Sequence, residues 1–158
     1  MAIAIRTAQT TWEGPLASGT GTVRTGSGAT GELPVTWATR TERADGETSP
    51  EELAAAAHSA CYAMALALRL GERKAVSERL AITATVTLDE AGGVPTIVSS
   101  HLDVTAIVPG LGKAGFDAVV GEASELCPCP GCSPGRGSAS TPRWSPHRDR
   151  GTLAAAAS

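Results

Sequence analysis

Ser49-Pro50-Glu51-Glu52-Leu53-Ala54-Ala55-Ala56-Ala57-His58-Ser59-Ala60-Cys61-Tyr62-Ala63-Met64-Ala65-Leu66-Ala67-Leu68 is the stretch that decides the fold. Its opening carries the signals of a helix start. Ser49 stands as N-cap, Pro50 at the first helical position, acids fill the first turn, and Glu52 is placed for a capping box. The helix is expected to run from Pro50 to about Leu70 and stop at Gly71. Its body is apolar almost all round, so it reads as buried rather than as a surface helix. The alanines flanking His58 and Ser59 are small enough to let another backbone approach closely.

Outward from this helix the chain alternates β runs and turns. Ala4–Trp12, Gly19–Thr25 and Leu33–Thr39 read as three strands of an antiparallel meander, and Thr41–Thr48 as a polar loop. After the helix, Leu80–Leu88 alternates with period two, and Thr96–Val108 forms another strand ended by Pro109-Gly110. Phe116–Cys127 reads as a second helix: Phe116, Val119, Val120, Ala123 and Cys127 recur at i, i+3, i+4, i+7 and i+11. Cys127 is thereby expected on that helix's apolar face. No period survives from Pro128 onward.

The 158 residues are 42% apolar and 18% charged with net charge −3, enough for one real core and a poor fit to a disordered chain, fibre or coiled coil. No apolar run reads as a membrane span and the first residues lack the layout of a secretory signal, so the expected location is cytoplasmic. The averages hide a break after Cys127. Residues 1–127 hold 9 Lys/Arg against 15 Asp/Glu, net −6; residues 128–158 hold four Arg against Asp149, net +3, and five of the ten prolines. The acidic body argues against nucleic acid as a partner.

Chemistry centres on four cysteines: Cys61 alone, then Cys127, Cys129 and Cys132 together. Without a secretory signal the options are redox chemistry, metal binding or burial. A lone cysteine on an apolar helix is commonly a small buried hydrophobe. Two features point further: Glu51 lies ten residues before Cys61 on the same helix, and the second helix offers Cys127 to the interior. Two such thiols suit a peroxidatic thiolate and a resolving partner, because a sulfenic acid on one can condense with the other. Cys127, Cys129 and Cys132 also invite a metal reading, but a fourth ligand would have to come from Cys61 or His147, and prolines on both sides of Cys129 stiffen the segment. His58 reads as a packing or hydrogen-bonded residue, His101 as a strand surface position, and Trp12 and Trp37 as core or dimer contacts. Gly19-x-Gly21 lies in a β context with no following helix and is no dinucleotide fingerprint.

Trp12-Glu13-Gly14, Gly19–Val23, Thr39-Arg40, Ser49-Pro50-Glu51-Glu52-Leu53 through Ala57-His58-Ser59-Ala60-Cys61, Val108-Pro109-Gly110 and Cys127-Pro128 resemble, in order and spacing, the OsmC/Ohr family of bacterial thiol peroxidases, and within it the OsmC (osmotically inducible protein C) branch. The resemblance implies an α+β fold, antiparallel sheets wrapped around two central cysteine-bearing helices in an intertwined homodimer. It implies reduction of organic hydroperoxides, and of hydrogen peroxide less well, in oxidative and osmotic stress defence. Cys61 would be the peroxidatic thiolate, Cys127 the resolving thiol, Arg40 the group that lowers the thiol pKa and orients the peroxide, and Glu51 the carboxylate that holds that guanidinium. The Arg40–Glu51 loop is one residue longer than the branch pattern, which leaves Arg43 as the other candidate arginine. No metal, haem, flavin or other cofactor is implied; an external dithiol, a dihydrolipoyl protein before a thioredoxin-like one, would reduce the disulfide. The competing functions are a non-catalytic stress or hydrophobic-ligand-binding protein of the same fold, and a metal-binding module on Cys127, Cys129 and Cys132.

The resemblance stops at Pro128, which divides the chain into a peroxidase domain, 1–128, and a Pro/Gly/Ser/Arg-rich segment, 129–158. Residues 129–147 can be back-translated so that one G restored before the Cys129 codon makes the same bases read Val-Ser-Arg-Val-Leu-Ala-Gly-Ser-Gly-Ile-Ser-Val-Asp-Ala-Glu-Val-Val-Ala-Ala. That is a helix end followed by an alternating strand. The segment thus reads as translated from a shifted frame, with no evolved role for Cys129, Cys132, Trp144 or His147. Loss of the terminal strand is expected to leave a sheet edge or core face uncovered and to lower stability.

Overall fold

The computed structural model describes residues 1–42, 46–127 and 138–144. The chain divides into two units, residues 1–54 and 55–158.

In the first unit, β1 (Ala8–Glu13), β2 (Thr20–Thr25) and β3 (Glu32–Thr36) form the expected antiparallel meander in the order β1-β2-β3. Gly21 lies opposite both Trp12 and Val35, and a Cβ there would come within 2.8 Å and 2.9 Å of their side chains. The glycine lets the indole lie across the strand. Two boundaries differ from the sequence expectation. β1 begins at Ala8, not Ala4, and β3 ends at Thr36, where α1 (Trp37–Thr41) starts. Thr36 and Thr39 form a reciprocal capping box, which satisfies orphan helical N–H groups and turns the chain out of the sheet. Thr39 Oγ1 also donates to the Thr48 carbonyl, 2.9 Å, and Thr48 pairs with Val35 in an isolated bridge.

These contacts deliver the chain to α2 (Pro50–Glu72). Ser49 caps it as expected, accepting from the Glu52 N–H at 3.1 Å. The Glu52 carboxylate accepts instead from Thr48 Oγ1, 2.8 Å.

In the second unit, β4 (Arg79–Ala91) and β5 (Val94–Ile107) form a long antiparallel hairpin. Gly92 and Gly93, at φ +63° and +83°, close it in two residues, a turn whose twist matches the strands. α3 (Lys113–Leu126) follows, and β6 (Ser138–Trp144) pairs with the free edge of β5 in parallel, Ser100 with Ser138 through Ala106 with Trp144. The core joins Tyr62, Ala65, Leu66 and Leu70 of α2, the alternate residues Leu102, Val104 and Ala106 of β5, and Phe116, Val119, Val120 and Ala123 of α3. Burying such side chains contributes about 1.5–3 kcal/mol each.

Five expectations are corrected. β6 is a regular element beyond Pro128, since a ladder uses backbone groups that a segment without side-chain period still carries. Pro142, opposite Val104, is tolerated because β6 is the sheet's outer strand. β5 therefore has partners on both sides, so its edge is not left uncovered. α2 is not buried all round: Ala56, Ala57, Ala60, Met64, Ala67 and Leu68 are exposed, because nothing among the described residues covers that face. Cys127 is the C-cap of α3, extended at ψ 106°, rather than part of its apolar face, although it still packs against the core. Finally, α2 contains an 18-residue window of mean hydropathy 1.3, so by length and composition one helix could cross a bilayer; here its Tyr62 face packs in the core.

Candidate active site

Arg40 stands in the last turn of α1 and Glu51 in the first turn of α2, both within the first unit. Arg40 Nε donates to Glu51 Oε1 at 2.9 Å. The Glu51 side chain is only 10% exposed, so its carboxylate is largely withdrawn from water and depends on a charged partner. At the helix N-terminus its negative charge is also favoured by the macrodipole. The guanidinium carbon lies 5.8 Å from the centre of the Trp37 ring, a second contact that orients it. Glu51 Oε2 is buried without a hydrogen-bond partner among the described residues.

The pair borders a half-open cavity of about 630 Å³ whose walls include Trp12, Val23, Val35, Trp37 and Leu53. Among the described lining residues Arg40 is the cation on an otherwise largely apolar wall. Such a site suits an apolar molecule with one polar group for the guanidinium.

Cys61 lies on α2 and Cys127 at the end of α3; both are half-buried, and neither is in a disulfide. Each is thus packed on one side and open on the other, as a reactive thiol must be. Three turns of α2 separate Glu51 from Cys61. The structure therefore brings Arg40 and Glu51 together and sets both thiols in the second unit. Arg43, Cys129, Cys132 and His147 lie outside the described residues. Among the described residues no three His, Cys, Asp or Glu groups gather to hold a metal ion.

His58, read from the sequence as a packing or hydrogen-bonded residue, is buried with Nδ1 2.6 Å from Ser100 Oγ. Burial holds its pKa below the ordinary 6.5, so the ring stays neutral. Tyr62 OH donates to the Val120 carbonyl at 2.8 Å. The sequence reading singled out neither Ser100 nor Tyr62. Ser100 did carry a signal, as the one polar residue in the inward series Ser100, Leu102, Val104, Ala106. His101 lies at the strand surface as expected, and Trp12, 39% exposed, is no core residue of the single chain.

An α+β fold with a half-buried cysteine on its core helix and a second at the end of the next helix is an arrangement that suits the class of cysteine-based redox proteins. Residues 43–132 match the OsmC-like protein family model. The chain is 40% identical over 120 residues, 76% of its length, to Peroxiredoxin OsmC of Escherichia coli (strain K12), of which it covers 83%; the same figures hold for Peroxiredoxin OsmC of Shigella flexneri. The chain belongs to the OsmC-like protein family and is a thiol-dependent peroxidase. Solved structures share the fold. An organic hydroperoxide resistance protein OsmC from Legionella pneumophila matches with TM-score 0.67 at 23% identity, over 92% of this chain and 99% of that one. OhrB of Bacillus subtilis matches with TM-score 0.65 at 24% identity, over 88% and 98%.

Proposed function

We propose that the enzyme reduces organic hydroperoxides to alcohols through a Cys61 sulfenic acid and a Cys61–Cys127 disulfide. The Cys61 thiolate attacks one peroxide oxygen, the O–O bond breaks, and the other oxygen leaves as an alcohol after taking a proton. The sulfur, oxidised by two electrons, is now a sulfenic acid. Cys127 attacks it, the S–S bond forms and water leaves. An external dithiol, a dihydrolipoyl protein, restores both thiols and is itself oxidised to a disulfide. Arg40 stabilises the thiolate and binds the peroxide oxygens, and Glu51 fixes the guanidinium. The observation that carries the reading is the Arg40–Glu51 pair on an apolar cavity in a chain 40% identical to a peroxiredoxin. The apolar wall favours hydroperoxides with fatty or aromatic groups over hydrogen peroxide, and thiol chemistry of this kind needs no bound cofactor.

The exposed apolar face of α2 supports a homodimer in which two such helices meet. A cytoplasmic location in a bacterium is the setting in which these thiols stay reduced. The deciding experiment follows cumene hydroperoxide consumption with dihydrolipoamide for the wild type and Cys61→Ser. Loss of activity in the variant is expected; unchanged activity rejects the mechanism.

Residues 1–128 form the peroxidase domain in this reading, and 129–158 come from a shifted frame. The strand of the restored frame, Ile-Ser-Val-Asp-Ala-Glu-Val, falls on residues 138–144, the span of β6. Resequencing the gene tests this: a missing base near codon 129 is expected, and an intact frame rejects it.

A further inference from the structure

The buried side of α2 holds a polar pair that the proposed chemistry does not use. His58 is 1% exposed and Ser100 4%, and their side chains meet at 2.6 Å. A buried imidazole is costly unless it is paired, and an aliphatic side chain would fill the same space without that cost. One turn further on, Tyr62, fully buried, donates to the Val120 carbonyl at 2.8 Å. The five residues that contain Cys61 are thus tied by short buried hydrogen bonds to two different elements, β5 through Ser100 and α3 through Val120.

Helical geometry relates these bonds to the thiol. His58 and Tyr62 project about 40° apart around the axis, and Cys61 lies about 60° to 100° away from them. That places it at the border of the buried face, in agreement with its half-buried state. The hydrophobic effect itself is non-directional. A short hydrogen bond sets both a distance and an angle.

We infer that the His58–Ser100 bond, together with Tyr62–Val120, is a positioning device that fixes the rotation and height of the α2 turn carrying Cys61. The inference rests on the reading of Cys61 as the peroxidatic thiol. His58 acts through the helix: its Nδ1 is committed to Ser100, and burial keeps the ring neutral. In-line attack on an O–O bond is sensitive to sulfur position, and a shift of about 1 Å can cost about 100-fold in rate.

The test uses the full chain with Cys127, Cys129 and Cys132 replaced by serine, so that Cys61 is the one thiol. Single-turnover sulfenic acid formation with cumene hydroperoxide is measured for this parent and for Ser100→Ala, His58→Ala and His58→Asn, beside alkylation of the same thiol by iodoacetamide. The expected result is a roughly 10- to 100-fold slower oxidation in Ser100→Ala and His58→Ala. Alkylation, which demands less orientation, changes by less than about three-fold, and His58→Asn, whose amide can reach Ser100, recovers most of the rate. Should His58→Ala fail to fold, Ser100→Ala and His58→Asn still decide the matter. Oxidation within about two-fold of the parent in folded Ser100→Ala, or equal loss of oxidation and alkylation, overturns the positioning role. Cys61→Ser in the otherwise unaltered chain separates the two claims. Retained turnover removes Cys61 from the chemistry and this proposal with it. Lost turnover with unchanged oxidation in the Ser100 and His58 variants leaves the thiol assignment standing and overturns the positioning role alone.

Discussion

Met64→Ala should weaken self-association without weakening the fold of the single chain. Met64 is 68% exposed and Leu68 57%, one turn apart on the uncovered face of α2. Complete burial of a Met or Leu side chain is worth about 1.5–3 kcal/mol, so covering the exposed part of Met64 contributes roughly 1–2 kcal/mol per protomer. A two-fold interface uses the residue twice, which gives roughly 2–4 kcal/mol per dimer, or about a 30- to 700-fold weaker dimer once the side chain is truncated. Alanine keeps the helix propensity, and little of the lost area is packed within one chain. Sedimentation velocity across a dilution series reads the effect directly. A dimeric wild type and a variant that dissociates at far higher concentration are expected. A monomeric wild type at tens of micromolar, or identical dissociation of the two proteins, refutes the argument that this face is covered by a second copy.

Tyr62→Phe removes the hydroxyl bonded to Val120, but the same carbonyl also accepts from Ser124 Oγ, so no acceptor is orphaned. The expected loss is about 1 kcal/mol in urea unfolding. Gly21→Ala pushes a methyl within 3.0 Å of the Thr11 carbonyl as well as against Trp12 and Val35. It should cost about 1–3 kcal/mol by the same measurement, and a neutral result would mean that the meander is looser than described. His58 has a depressed folded-state pKa, so between that value and 6.5 the unfolded chain binds more protons than the folded one. Stability is full above 6.5 and falls as pH drops below it, by at most about 1.4 kcal/mol per pH unit, and His58→Asn should flatten that limb when midpoints are compared from pH 8 to pH 5.

What could be read from the sequence was what local chemistry decides. The Ser49 cap and the apolar run placed α2, the i, i+3, i+4 series placed the buried face of α3, and the period-two run placed β4. The two thiols were singled out from their apolar helices and the Arg40–Glu51 pair through motif resemblance, and that ion pair is formed. The misses share a different origin. α1 is five residues long and exists because Thr36 and Thr39 cap one another, a pattern that β-prone neighbours hide. The exposed side of α2 looks like any other apolar side until the partners of its opposite face are known. Ser100 meets His58 across 42 residues of chain, and β6 depends on backbone pairing that side-chain periodicity does not report.

The two neighbours of β5 imply an order of assembly. Its pairing with β4 starts at Ala91 and Val94, across a two-glycine turn, and can zip from there on the microsecond scale. Its pairing with β6 joins residues 38 positions apart, as in Ser100 with Ser138, and must wait until the intervening chain, α3 included, has been made and closed into a loop. During synthesis the hairpin, α2 and α3 all leave the ribosome before residue 138 does. A change confined to β6 is therefore expected to act on the closing step of folding and on the unfolding rate rather than on the local β4–β5 pairing.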